Sequence, residues 1–598
     1  MYSKYKNFSE FFKTICRLYG TKGALYWKQS ANDNEYKELS GNKLLELVYF
    51  LSTALKRFDL NRFDKAAIIS ESRYEWVVTD FSCIINNLIT VPVYTTMTTE
   101  QIKYILKHSE CKLCFVSNQL IAEKISAISD ELPDLKKIIT FNKTDLLNEK
   151  IISFEELIYQ ELLDDSDSYS IENAFKIIDR SIANQTENDL LTIIYTSGTT
   201  GIPKGVCLTH KNILTNIKQC TDAFPVDESD VFLSFLPLAH TYERTCGYYV
   251  ALSKGAKIYY AKSIDTLSAQ MLEVKPTLML GVPMLYNKIH TRILKNIDSM
   301  PLIKKSFAKK ALSIGKKFRN NKNSIFWKFA DKKVFSTIRE KTGGRIKFLI
   351  SGGSALSKET AEFFDSIGIL ILQGYGMTEA SPVISVNRLD RNKFGTVGIA
   401  LNGIEINIAD DGEILVKGDN VMQGYYKNEK DTEDTIKDGW LHTGDIGHID
   451  EEGFITITDR KKSLIKTSSG KYISLTHIEE TLEKSEYIEQ VIAFASDTKH
   501  FVSAIIVPNF EYLEDIAKKL DVKYNKISDL TDNDVIHNFY ESEIDVLQRP
   551  LAKYERVRKF VLLDRPFTIE NQELTPTMKL KRKVIEEKYK NIIDGFYR

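Results

Sequence analysis

The stretch that most restricts the fold begins at Lys65. An apolar run, "AAIIS", is followed by the helical pattern "YEWVVTDFSCIINN" and then by a second apolar run, "LITVPVY". Short apolar runs separated by a helix cannot pair as hairpins. They pair in parallel, as βαβ units. The alternation continues through "YILKHSE", "KLCFVS", "QLIAEKISAIS" and "LKKIITF", so an α/β fold built on a doubly wound sheet is the economical architecture. Further apolar runs at "VFLSFLP", "KIYYA", "TLMLGVP", "IKFLISGG" and "ILILQGYG" end in Gly, Pro or polar residues, as expected where the carboxyl ends of strands carry a ligand site.

After Pro382 the texture changes to a Gly-punctuated β pattern, "GIEINIADDGEILVKG", with an Asp-Gly turn at Asp411 and Gly412. This predicts a small β-barrel-like subdomain over about 383–459 at the end of a large N-terminal domain, 1–459. Residues 460–598 then read as a separate, mobile α+β domain, with the boundary in the charged run that leaves "GFITITDRKKS". Its first helix is expected to open at Thr476 with a capping box to Glu479.

Composition narrows function only a little. Lysine plus arginine balance aspartate plus glutamate, 81 against 81, which argues against a nucleic-acid partner. The start, "MYSKYKNFSEFFKTICRLYG", lacks the order of a signal peptide, and no stretch approaches about eighteen uninterrupted apolar residues. The seven scattered cysteines suit a reducing compartment and no disulfides. Cys111 and Cys114 form a lone C-x-x-C that reads as the start of a buried strand. A cytoplasmic protein is expected. One segment breaks the charge balance: residues 291–345 carry 16 Lys/Arg against 3 Asp/Glu, a net of +13. Phe307, Phe318, Phe326, Trp327 and Phe329 are interleaved with these charges. Either the helices there pack on the body through their aromatics, or the segment meets an anionic membrane surface or a polyanionic cofactor.

Residues 195 to 205 read "YTSGTTGIPKG". Gly-rich backbone can turn its N–H groups toward an anion while hydroxyls and a lysine add donors, yet the spacing is not that of a P-loop. Four other motifs follow in order: "QGYGMTEAS" (373–381), "DGWLHTGDIG" (438–447), "DRKKSLIKTSSGK" (459–471) and "LTPTMKLKR" (574–582). Together the five resemble the AMP-forming acyl-adenylate superfamily, which includes acyl-CoA synthetases, luciferases and peptide-synthetase adenylation domains. The resemblance covers nearly the whole chain. "FLPLAHTYER" (235–244) and the overall length look most like bacterial long-chain fatty acid–CoA ligases. Ile449, Glu451 and Thr456 depart from residues frequent in the fatty acyl members.

The resemblance implies two half-reactions. A carboxylate attacks the α-phosphate of ATP to give acyl-AMP and pyrophosphate, and the thiol of coenzyme A then displaces AMP. It implies that Thr196, Ser197, Gly198, Thr199, Thr200 and Gly201, with Lys204, hold the outer phosphates. Lys579 matches the catalytic lysine, and Thr378 would donate to the α-phosphate. Thr196 and Glu379 match the Mg²⁺ contacts. The nucleoside would lie along Gly352, Gly353, Ser354 and Ala355 and along Gln373, Gly374, Tyr375, Gly376 and Met377. Asp445 would accept from the ribose, with Arg460 beside it.

His240 would sit near the substrate carboxylate, and "LPLAHTYER" and "LGVPMLY" would wall the acyl channel. Lys462 matches the pivot of the small domain. Ser469, Gly470 and Lys471 match the loop that serves the thiol step. Fatty acid, ATP and CoA are thus the expected small-molecule partners, with a homodimer and peripheral contact at the inner face of the membrane through 291–345 as further expectations. The alternatives keep the fold and change the role: a fatty acyl-AMP ligase loading a carrier protein, a synthetase for another carboxylic acid, or a non-catalytic nucleotide-binding member. Taken singly, Tyr375 could be a core aromatic, Glu379 a helix cap, Asp445 a turn residue, Lys579 part of a solvated basic helix and His240 a structural histidine.

Overall fold

Parallel pairing requires crossovers, and both large sheets have them. The computed structural model describes residues 5–29, 33, 35–165, 169–196, 202–461, 463–466, 472–496, 501–575 and 578–597. It divides into two compact units: Met1–Ile406 with Val416–His442, and Asn407–Leu415 with Thr443–Arg598.

In the first unit, one sheet has eight strands. Its parallel core runs Leu190–Thr196, Ile89–Val93, Lys65–Ile69, Cys111–Val116, Lys137–Thr140 and Ile151–Ser153. Lys65–Ile69 is flanked by the next strand in sequence on one side and the one after it on the other, so the order reverses there, as in doubly wound folds. Its apolar core includes Cys111 and Cys114, both buried and unoxidised.

The second sheet has nine strands. Around Val231–Ser234 lie Lys257–Tyr260 on one side and Leu278–Gly281, Phe348–Ser351 and Ile371–Gly376 on the other, all parallel. The loops that leave the carboxyl ends of these strands begin at Phe235, Val282, Gly352 and Met377. They carry the "LPLAHTYER", "LGVPMLY", "SGG" and "QGYGMTE" segments to one edge of the sheet.

Helix starts follow local rules. Thr98 and Thr209 each close a capping box, with Gln101 and Asn212. Asn212 also donates to the carbonyls of Asp419 and Val421, so one cap fastens two distant segments.

The second unit has its own core, formed by Ile478, Val491, Ile506, Leu513, Leu530 and Tyr540 among others. Its sheet pairs Ile488–Phe494 antiparallel with Val502–Pro508, which runs parallel to Val557–Leu562. The Asp411-Gly412 turn forms as expected, with Gly412 at φ +83°. The helix spans Leu475–Leu482 and is capped by Ser474, not Thr476. Ser474 precedes the first turn and accepts from the His477 N–H at 3.0 Å. Glu479 instead accepts from the Ala493 N–H at 2.7 Å and pairs with Arg582. The hairpin that ends at Arg460 packs with this helix, which is why residues 443–460 group with the C-terminal segment and not with the body that precedes them.

Candidate active site

The two ends of the "YTSGTTGIPKG" segment lie on paired strands. Leu190–Thr196 and Lys204–Thr209 pair antiparallel, with Thr196 opposite Lys204 and Tyr195 opposite Gly205. Ser197, Gly198, Thr199, Thr200 and Gly201 lie outside the described residues. Both ends are pinned. Tyr195 is buried with its hydroxyl 2.7 Å from His108 Nδ1, and a Cβ at Gly205 would stand 2.8 Å from the Ile193 side chain.

Lys204 is already engaged. Its Nζ lies 2.6 Å from Asp431 Oδ2 and 5.0 Å from the centre of the Tyr425 ring. This cation holds the Asp431 carboxyl below the usual range, chiefly through that contact. The Tyr425 hydroxyl donates to Glu379 Oε1 at 2.9 Å, so the lysine at one end of the loop connects through one ring to the expected metal ligand. Glu379 sits in the short helical turn Thr378–Ala380 and is buried. Thr378 faces Thr241, hydroxyl to hydroxyl at 3.2 Å. His240 precedes Thr241, and its Nδ1 accepts from the Tyr242 N–H at 3.1 Å, which puts the proton of the neutral ring on Nε2. Thus His240, Thr378, Glu379 and Lys204, expected at one site, are linked by a continuous set of contacts.

The nucleoside segments lie beside this chain. Gly352 abuts Tyr242, whose ring would stand 3.0 Å from an added Cβ. Gly353 has φ +88°, and Gly353, Ser354 and Ala355 are exposed. In the strand Ile371–Gly376 the Gln373 carbonyl accepts from the Asn387 N–H at 2.9 Å, Gly374 lies opposite Val386, and Tyr375 is buried. Gly376 is exposed on one side, yet a Cβ there would come within 2.0 Å of the Pro382 carbonyl oxygen, so no other residue fits. The Met377 N–H is held by that same carbonyl at 3.0 Å.

The second unit carries a separate cluster. Asp445 and Arg460 are direct partners in an antiparallel pair, and Arg460 Nε donates to Asp445 Oδ1 at 3.0 Å. Lys579 belongs with them. Burial, then the neighbouring charge of Arg460, pushes its ammonium down to about 8, with Asp445 acting in the opposite sense. A tight turn presents it: the Thr575 N–H donates to the Lys579 carbonyl at 2.7 Å, and the Lys579 N–H to Thr575 Oγ1 at 2.9 Å. The turn is rooted by Glu573, whose carboxylate is held by Arg565 at 2.7 Å and Lys588 at 2.9 Å. Against the cost of burial these partners bring Glu573 down to about 2. Leu464–Lys466 pairs antiparallel with Tyr472–Ser474. Lys462, Ser469, Gly470 and Lys471 lie outside the described residues.

The model of the AMP-binding enzyme family matches residues 12–426, well over half of the chain. The protein belongs to this family. A long-chain-fatty-acid–CoA ligase of Mycobacterium bovis is 32% identical over 89% of this chain and 88% of its own. Fatty acyl-CoA synthetase B of Dictyostelium discoideum is 31% identical over 97% and 89%, and the peroxisomal long chain acyl-CoA synthetase 7 of Arabidopsis thaliana 31% over 98% and 84%. An anthranilate CoA ligase solved with anthranoyl-AMP superposes with TM-score 0.72 at 18% identity, over 98% of this chain and 97% of that one. A carboxylate reductase adenylation domain from Mycobacterium chelonae gives 0.76 at 20%, over 99% and 91%. These two establish the fold.

Some residues of this AMP-binding enzyme escape a reading of motifs. Tyr425 and Asp431 lie in "GYYKNEKD", which has no motif character. They arrive because Gly424–Tyr425 pairs with the strand that begins at Lys204. Thr241 sits inside a segment expected to wall the acyl channel. In the same segment Glu243 and Arg244 are buried in the core, and burial pushes the Glu243 carboxyl up to about 8 while Ser234 donates to it at 2.5 Å. The Thr-Tyr-Glu-Arg order alone gives no sign of which side chains face inward.

Proposed function

We propose that this AMP-binding enzyme is a long-chain fatty acid–CoA ligase that works through acyl-AMP. The fatty acid carboxylate attacks the α-phosphorus of ATP, the bond to the bridging oxygen of pyrophosphate breaks, and acyl-AMP forms. The CoA thiol, losing its proton, then attacks the acyl carbon and releases AMP. The observation that carries the reading is the convergence of Asp445, Arg460 and Lys579, 134 positions apart in sequence, within one unit. The names of relatives matched along most of both chains support fatty acid and CoA as the partners of ATP.

In this reading Lys579 offsets the charge that builds as one anion attacks another. Its turn is stiffened by Glu573 and Thr575, so little reorganisation accompanies the step. Thr378 donates to the α-phosphate, His240 presents its Nε2 proton to the carboxylate, and Asp445 accepts from the ribose. Lys204, neutralised by Asp431, orients the loop. Thr196 and Glu379 would supply hard oxygens suited to Mg²⁺. When bound, the ion screens the triphosphate. The C-terminal domain closes for the first step and turns about Lys462 for the second, bringing Ser469, Gly470 and Lys471 to the thiol; the independent core of the second unit supports such movement as a body.

Two finer expectations accompany this. Self-association as a homodimer is read by sedimentation. Peripheral membrane contact is supported by the exposed basic residues of 291–345. The decisive experiment is Lys579→Ala. Pyrophosphate release with a long-chain acid should fall by on the order of 10²–10³-fold, while thioester formation from supplied acyl-AMP is retained. Normal pyrophosphate release in that variant would refute the role of Lys579.

A further inference from the structure

A helical turn of three residues cannot satisfy all of its own backbone groups. Thr378–Ala380 is such a turn, and it carries the carboxylate of Glu379. Its remaining polar groups are therefore met from elsewhere in the chain. The Glu379 carbonyl accepts from the Met422 N–H at 2.8 Å, the Ala380 carbonyl from Asn420 Nδ2 at 2.8 Å, and the Glu379 carboxylate from the Tyr425 hydroxyl at 2.9 Å. Three donors from one short segment, residues 420–425, thus reach both the main chain and the side chain of this turn. Asn420 is placed there at a cost. It is fully buried, and among the described residues its Oδ1 has no partner, a state that buried amides rarely tolerate. Gly418 makes room for it, since a Cβ at that position would lie 2.6 Å from Oδ1. What the amide contributes is its donor to Ala380.

The same segment is fastened to the strand that begins at Lys204. The Tyr426 N–H donates to the Gly205 carbonyl at 2.7 Å and the Gln423 N–H to the Cys207 carbonyl at 3.0 Å. Just past that strand, Asn212 spends its whole side chain on one junction. Its Oδ1 accepts from the Thr209 N–H at 2.8 Å and the Thr209 hydroxyl at 2.9 Å, while its Nδ2 donates to the carbonyls of Asp419 at 2.9 Å and Val421 at 2.8 Å. Lys211 adds an ion pair to Asp419 at 2.9 Å. Residues 419–426 therefore form a bracket from the strand of Lys204 to the turn of Glu379. We propose that Asn212 and Asn420 are positioning residues that fix the Glu379 carboxylate relative to Lys204 and its strand partner Thr196, so that an ion held by Glu379 also meets the outer phosphates of ATP. This rests on the ligase reading, in which Thr196 and Glu379 serve Mg²⁺, and deepens it by naming what sets their separation. A bracket that served the fold alone would leave the metal dependence of nucleotide binding untouched.

The test uses two variants of the full chain and reads binding, not turnover. Asn212→Asp keeps the oxygen that caps the helix at Thr209 and removes the amide that donates to Asp419 and Val421. Asn420→Ala removes the donor to Ala380 together with the unmet acceptor, so its unfolding in denaturant should stay close to wild type. ATP affinity is measured by calorimetry with Mg²⁺ and with EDTA, and AMP affinity is the control, since AMP lacks the outer phosphates. In wild type Mg²⁺ should tighten ATP binding. In both variants that gain should shrink by on the order of tenfold, while AMP binds as it does to wild type. A gain equal to that of wild type in both variants overturns the proposal. So does a loss of AMP affinity as large as the loss of Mg²⁺-dependent ATP affinity, which would make the bracket purely structural. If Mg²⁺ leaves ATP binding to wild type unchanged, the metal reading of Glu379 fails and this proposal with it. Variants that respond as expected in a chain that makes no acyl-CoA would sink the ligase reading and leave this one standing.

Discussion

Two of the protein's Asp–Arg pairs differ in everything but composition. Arg244 and Asp80 are almost wholly buried and 2.5 Å apart. Each guanidinium nitrogen of Arg244 is used: Nε donates to Tyr249, one terminal nitrogen to Thr192, and the other to Asp80 and Thr90, all within 3.0 Å. These partners sit on the helix Tyr74–Ile85, the strands Ile89–Val93 and Leu190–Thr196, and the π-helical segment Glu243–Tyr249. The pair holds the strand that ends at Thr196 to the segment that follows His240 and Thr241. Arg460 has one bond to Asp445, its side chain is 64% exposed, and Lys579 is a second cation beside the same carboxylate. A buried pair whose guanidinium is fully engaged can only position; one whose guanidinium stands in the open can also meet a ligand.

The sharpest way to break the comparison is to remove each arginine in turn. Arg244→Ala strands Asp80 as a buried charge and should destabilise by about 3–5 kcal/mol, with both half-reactions falling together. Arg460→Ala should cost no more than about 1 kcal/mol and should depress adenylation selectively. Guanidinium denaturation with separate assays of the two half-reactions decides. If Arg460→Ala proved the more destabilising, the division into a positioning pair and a ligand-ready pair would be wrong.

A smaller effect sharpens the open side. In the proposed mechanism Lys579 works as an ammonium, and its value of about 8 is far below the ordinary 10.5. Adenylation measured as kcat/KM should therefore fall above pH 8, approaching tenfold per unit. The limb should be absent in Lys579→Arg, since guanidinium stays charged. Because Arg460 depresses this value and Asp445 raises it, Arg460→Ala should move the limb to higher pH and Asp445→Asn to lower pH. The stability sign is opposite to that of a favourable pair: the folded chain bears the cost of a buried ammonium below pH 8, and that cost is relieved as pH rises toward 10.5. A limb that stays in place in all three variants would show that another group titrates.

These contrasts also mark what the sequence discloses. The alternation after Lys65 predicts a doubly wound sheet because periodicity is local, and the five motifs place Asp445, Arg460 and Lys579 because each is a short, continuous signature. Asp80, Thr90 and Thr192 have no such trace, and Arg244, though it ends the quoted "FLPLAHTYER", is not marked there as their partner. The first three are polar residues in apolar runs, and only the packing of four elements reveals that all four share one hydrogen-bond set. The segment 302–329 is half legible: its positive charge stands out in the sequence, but only the packing shows that Phe307, Phe326 and Phe329 are exposed while Ala308, Ala311 and Trp327 are buried.

Between the two extremes lies the set of contacts around Lys204 and Glu379, at the expected phosphate site. Lys204 is saturated by Asp431, whereas Glu379 is anchored by the hydroxyl of Tyr425. Tyr425→Phe keeps the ring under Lys204 and removes only that hydrogen bond, so stability should change by about 0.5–1.5 kcal/mol. The carboxylate would then lose one of its orienting donors, and the Mg²⁺ concentration giving half-maximal adenylation should rise several-fold, with the thioester half-reaction unchanged. Tyr425→Ala removes the ring as well, and should add a loosening of Lys204 that appears as a higher KM for ATP. Identical Mg²⁺ titrations in wild type and Tyr425→Phe would mean that the hydroxyl does not orient Glu379 for the metal, and would move this contact to the saturated, purely structural side of the comparison.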